Sequence, residues 1–149
     1  MDEIRPWLYI GKYSDTLDKH YLDSKSIQAM LQLADRVEQA GIKSLFLPVE
    51  DMGPTSPVLI KQGVDFILAE KEKGHNILVA CGAGINRSTA FCMAGLKETE
   101  GLSLLDAFKD IKSKHPASMS HEPVWESFCR YYNESTPYLD LMRVSAQYQ

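Results

Sequence analysis

Cysteine is scarce and oddly numbered: Cys81, Cys92 and Cys129 are the only three in 149 residues. They contain no Cys-x-x-Cys, and no metal-ligand spacing arises among them and the four histidines. That pattern excludes a disulfide framework and points to reduced thiols, a cytoplasmic setting, and no metal or other cofactor. A basic excess is lacking too. Sixteen Lys and Arg stand against twenty Asp and Glu, a net charge of −4, which argues against a nucleic-acid partner and gives no pull toward anionic membranes. No apolar run approaches the ~20 residues a spanning helix needs. The start, Met1 to Pro6, lacks the basic start and the apolar run of a signal peptide. Repeats, low-complexity tracts and linkers are also missing. The expectation is one domain over residues 1–149, monomeric, with a core of its own.

What is present reads as strands alternating with helices. Trp7 to Ile10 before Gly11 reads as a short strand, and Ser26 to Leu33 suits a strand or a helix equally. Asp35 to Ala40 reads as a helical turn ended by Gly41, and Ser44 to Val49 as a buried strand. Val58, Ile60, Val64, Ile67 and Leu68 approximate one helical face, closed by Gly74. Ile77 to Ala80 is the next buried strand. Helices are expected at Ser88 to Glu98, at Ser103 to Lys114 with Ser103 as cap, and at His121 to Tyr132. This order predicts an α/β fold with a mostly parallel central sheet flanked by helices. The tail from Asp140 is left undecided.

The chemistry concentrates after the strand that ends at Cys81. Gly82, Ala83 and Gly84 are small, Ile85 and Asn86 follow, and Arg87-Ser88 opens a helix. Such a loop curls its N–H groups inward at the positive end of a helix dipole and holds a tetrahedral dianion. Arg87 adds a planar two-pronged contact to phosphate oxygens. A thiolate is the reactive form of cysteine, and the same field favours it. Attack by Cys81 on a phosphoester would give a thiophosphoryl intermediate, with Ser88 donating a hydrogen bond to sulfur as it leaves. A buried structural cysteine with a chance arginine is the plain alternative, but the whole order of strand, Cys, Gly-x-Gly, Arg-Ser and helix speaks for chemistry. Cys92 and Cys129 lie in helical patterns and read as packing residues, although Cys92 is also a partner for reversible oxidation of Cys81 if the two approach.

Expelling an alcohol or phenol calls for a proton donor on a nearby loop. Asp51 follows an apolar strand and opens the loop containing Gly53, Pro54 and Pro57. That places it at the sheet edge where the Cys81 loop emerges. Glu50 is the adjacent competitor.

With these residues in view, the sequence resembles the cysteine-dependent protein tyrosine phosphatase superfamily, and most of all its small dual-specificity branch. Leu8 to Gly11 resembles the opening strand, Leu47 to Asp51 the strand and general acid, and Ile77 to Thr89 the signature loop. Gly101 to Phe108 with Ile111 to Pro116 resembles the helix pair that follows. The resemblance implies Cys81 as nucleophile, Arg87 as phosphate ligand, Ser88 as aid to thiol departure, Asp51 as acid, and the backbone from Gly82 to Arg87 as phosphate cradle. It implies a phosphorylated protein or small phosphoester as substrate. Ala80 departs from the pattern, because the family usually places His before the nucleophile; weaker activation of Cys81 is the expectation.

Lipid phosphatases of the superfamily it resembles tend to carry lysines in this loop; Gly82 to Asn86 are all neutral, so the resemblance implies a phosphoprotein or another modestly charged phosphoester. Trp7, Tyr9 and Trp125 are placed in the core ahead of a pocket wall. Three rival readings stand beside this one: a phosphate-binding pseudophosphatase, a rhodanese-like sulfurtransferase, and low-molecular-weight phosphatase chemistry. The last normally sits near the N-terminus of its chain.

Overall fold

In the computed structural model, which describes residues 1–148, the chain runs β1 (Asp2–Arg5), β2 (Leu8–Lys12), α1 (Tyr13–Thr16), α2 (Lys19–Ser24), β3 (Ile27–Gln32) and β4 (Lys43–Phe46). It continues α3 (Pro57–Glu72), β5 (Asn76–Cys81), α4 (Arg87–Glu100), α5 (Leu104–Lys114), α6 (Glu122–Tyr131) and α7 (Tyr138–Ala146). The sheet order is β1-β2-β5-β3-β4. Only β1 is antiparallel to its neighbour; β2, β5, β3 and β4 run alike. The chain thus forms an α/β fold with a mixed, mostly parallel sheet flanked by helices, as its alternation of elements predicts.

Strand alternation divides the core. Ile77, Val79 and Cys81 of β5 join the larger apolar cluster, under α3 to α7, while Leu78 and Ala80 face a smaller one with Tyr9, Leu22, Ile27, Met30 and Ile42. Both faces of β5 are buried, which is why it reads as an unbroken apolar run. Helix α4 sits deepest, with every residue from Ser88 to Leu96 buried. Its Phe91 meets Phe128 of α6 edge to face at 5.2 Å, and Gly63 lets α3 close onto the same ring, where a Cβ would collide.

Several local expectations hold. Ser103 Oγ accepts from the Asp106 N–H at 3.1 Å, capping α5. Residues Ile27 to Gln32 choose strand over helix because β5 and β4 pair with them on either side. Two differ. Asp35 to Ala40 is irregular instead of helical: the Gln32 side chain holds both the N–H and the C=O of Val37, at 2.9 and 2.7 Å, and takes that backbone out of a helical ladder. The tail docks as α7 through buried Leu141 and Val144, with Gln149 outside the described residues. The N-terminal strand and the two short helices between β2 and β3 carry too little periodicity to be read in advance.

Candidate active site

Three connections leave the carboxyl ends of β3, β4 and β5 on one edge of the sheet, the usual place for a ligand in such a fold. Cys81 ends β5 with 2% of its surface exposed, and its Sγ lies 3.2 Å from Ser88 Oγ. With the sulfur ionised, the hydroxyl is the donor.

The loop between them is turned inside out relative to ordinary backbone. The carbonyls of Gly82, Gly84 and Ile85 point outward and are taken by Tyr13 N–H, His115 Nε2 and Met119 N–H, at 3.2, 2.7 and 3.0 Å. Among the described residues, no N–H from Gly82 to Ser88 reaches a protein acceptor. Gly82 and Ala83 are exposed, so these donors are open to solvent or a ligand, and a row of them before a helix start is an anion nest. Glycine is required at 84: its φ is +70°, and a Cβ there would lie 2.9 Å from the Gly11 carbonyl oxygen.

Arg87 opens α4 and folds back over the loop. Its Nη1 donates to the carbonyls of Leu33 and Val49, both at 3.1 Å. That fixes the guanidinium with Nη2 beside Gly82 and with Nε buried and lacking any hydrogen-bond partner. A guanidinium held next to an amide nest, with only a loose carboxylate contact at its Nε, is suited to a bound oxyanion.

Asp51 lies in the connection after β4 and is half exposed. Its Oδ1 is 3.4 Å from Arg87 Nε and accepts from Asn86 Nδ2 at 3.1 Å. Asn86 also holds the Asp51 carbonyl, and its Oδ1 accepts the His121 N–H at 2.7 Å. Glu50, the competitor for the acid role, folds over Gly53 instead. A cavity of about 90 Å³ is lined by Asp51, Cys81, Ala83, Ile85, Asn86, Arg87 and His121.

The structure therefore brings Cys81, Ser88, Arg87 and Asp51 together, with Gly82 to Asn86 as the loop between them. It adds residues that the sequence reading passed over. His121 enters the cavity as the residue before α6, and His115 braces the loop from outside, with Nδ1 against Asp2. Their only sequence signal was being histidines next to helix ends. Cys92 is fully enclosed, and burial, followed by the neighbouring Cys81, pushes its thiol far up. Burial likewise raises Cys129, to about 11. Trp125 is fully buried and Tyr9 nearly so, and neither they nor Trp7 line the cavity.

The family model described as "Dual specificity phosphatase, catalytic domain" matches residues 8–134. Dual specificity protein phosphatase 5 of Homo sapiens is 32% identical over 140 residues, covering 91% of this chain and 36% of that protein. Dual specificity protein phosphatase 12 of Rattus norvegicus is 29% identical over 127 residues, 80% of this chain and 38% of that protein. The chain thus spans little more than a third of the curated relatives it matches. The crystal structure of human DUSP28 superposes with a TM-score of 0.83 at 23% identity, covering 89% of this chain and 96% of that one. That of a human tyrosine phosphatase-like serine/threonine/tyrosine-interacting protein gives 0.80 at 24% identity, covering 89% and 95%. These two likenesses establish the fold.

Proposed function

The chain belongs to the dual specificity phosphatase catalytic-domain family, and from that premise we propose that it hydrolyses phosphomonoesters of protein tyrosine, serine or threonine through a cysteinyl-phosphate. The observation that carries the reading is the unpaired row of loop N–H groups, with the Arg87 guanidinium beside Gly82 and Cys81 Sγ at the base.

In the first step Cys81 Sγ attacks phosphorus in line with the ester bond. The S–P bond forms as the P–O bond breaks, and Asp51 gives its proton to the departing oxygen. The loop amides and Arg87 hold the three equatorial oxygens, whose charge would otherwise have to be met by water. In the second step water attacks phosphorus and yields its proton to Asp51. Sulfur leaves as thiolate, stabilised by the Ser88 hydroxyl 3.2 Å away. A cavity of about 90 Å³ takes the phosphoryl group and leaves the rest of the substrate outside, which suits aliphatic and aromatic esters alike.

The test is hydrolysis of an aryl phosphate by wild type, Cys81→Ser and Arg87→Lys, with mass spectrometry of acid-quenched protein. Turnover with a phosphoryl group on Cys81, abolished in Cys81→Ser and reduced ~100-fold or more in Arg87→Lys, supports the reading. Vanadate binding without any turnover would overturn it in favour of a phosphate-binding module.

A further inference from the structure

Each outward carbonyl of the phosphate loop is the other end of an inward N–H. A trans peptide sets its C=O and N–H in opposite directions. Holding the Gly82 carbonyl outside therefore aims the Ala83 N–H into the nest, the Gly84 carbonyl aims the Ile85 N–H, and the Ile85 carbonyl aims the Asn86 N–H. Two of the three outer donors, on Tyr13 and Met119, are backbone N–H groups. The third is a side chain: His115 Nε2 donates to the Gly84 carbonyl at 2.7 Å. Gly84 puts no Cβ in the way of rotating the peptide that follows it, and a turned-over peptide would place a carbonyl oxygen where the dianion sits. Packing does not prevent that turn. A cleft of about 260 Å³ opens on the outer side of the loop, lined by Gly11, Lys12, Ala83, Gly84 and His115 among others.

The ring that does the holding is itself fixed from two sides. Its Nδ1 meets the Asp2 carboxylate, and most of the side chain is enclosed. Buried Lys112 donates from Nζ to the carbonyls of Pro116 and Ser118, both at 2.7 Å. Those two acceptors lie in the turn that carries His115 and Met119 to the loop, so a buried cation shapes the segment from which both braces come. We infer that His115, with Asp2 behind it, is a positioning residue for phosphate binding. It keeps the Ile85 N–H turned into the nest, although it does not line the catalytic cavity. Its action passes through one peptide group.

This role rests on the phosphatase reading, and two readouts separate them: turnover of an aryl phosphate, and vanadate affinity by calorimetry. Both are measured for wild type, His115→Ala, His115→Asn and His115→Gln, each with a thermal melt. The amide nitrogen of Gln reaches as far as Nε2, whereas that of Asn stops near Nδ1. Weakening one nest donor should lower kcat/KM about 10–100-fold in the Ala and Asn variants. Vanadate, which resembles the five-coordinate transition state, should lose affinity by a similar factor. His115→Gln should recover most of both, which a residue needed only for packing would not show. If His115→Ala does not fold, the Asn and Gln variants carry the same comparison. Vanadate affinity that follows this order with no turnover in any protein upholds the brace and overturns the phosphatase reading. Turnover in wild type with vanadate affinity and kcat/KM unchanged in His115→Ala, or with losses that Gln leaves unrepaired, overturns the brace and leaves the phosphatase reading standing. A wild type that neither binds vanadate nor turns over overturns both.

Discussion

Asn86 ties the phosphate loop to the loop that carries Asp51. Its Nδ2 donates to the Asp51 carbonyl and carboxylate, while its Oδ1 accepts the His121 N–H at 2.7 Å. One side chain, 2% exposed, therefore sets the position of Asp51 relative to the Cys81 loop.

Removing that tie should cost catalysis through Asp51. Asn86→Ala is expected to lower kcat by about 10–100-fold, most with poor leaving groups. In the double variant with Asp51→Asn the losses should not add, because both act on one proton transfer. Fully additive losses in steady-state kinetics would show that Asn86 acts elsewhere.

Asp51→Asn alone should slow alkyl and phenyl phosphate hydrolysis ~100-fold or more. It should spare esters whose leaving group departs without a proton. A plot of log kcat against leaving-group acidity becomes steep in the variant and stays shallow in wild type. Parallel plots would remove Asp51 from the acid role.

Replacing Ala80 by the family's usual His should not improve the enzyme. Ala80 faces the smaller core, across the sheet from Cys81's cluster. The free space there, between Tyr13, Thr16 and Gln32, is about 10 Å³. Overpacking of this kind costs ~1–3 kcal/mol, so Ala80→His should lower Tm by about 5 °C without raising the rate. Thermal melts and aryl phosphate turnover check both halves, and a faster, equally stable variant would contradict the packing argument.

Glu70 is fully enclosed at the end of α3 far from the site, against Lys73 at 2.8 Å, His75 at 3.1 Å and Lys43 at 3.3 Å. Burial pushes its carboxyl up, but these partners outweigh burial and hold it down at about 2, against an ordinary 4.5. A group lowered on folding stabilises the protein above its unfolded value and stops doing so as pH falls through the folded one. Glu70→Gln should cost about 2 kcal/mol at neutral pH, discounted for the solvent around both lysines. The Tm gap to wild type should close between about pH 5 and pH 2. A gap independent of pH would trace the loss to shape and not charge.

The loop from Cys81 to Ser88 was legible because its physics is local. A buried strand, small residues that permit an inward curl, and an arginine at a helix start are contiguous in the chain, so Cys81, Arg87 and Ser88 could be named from order alone. Asp51 was legible at one remove, since parallel strands deliver their following loops to a common edge. Burial of β5 on both faces made that strand plain, whereas β3 became a strand only through neighbours on both sides.

The sequence by itself determined the sheet's mostly parallel character, the Ser103 cap of α5 and the loop from Cys81 to Ser88, all consequences of residues close together in the chain. Tertiary structure alone decided that Asn86 reaches Asp51 across 35 positions, that His115 braces Gly84 from 31 away, and that Thr55 meets Ser127 across 72. Those contacts depend on how separate loops and helices pack, and periodicity within any one segment carries no record of which partner it meets.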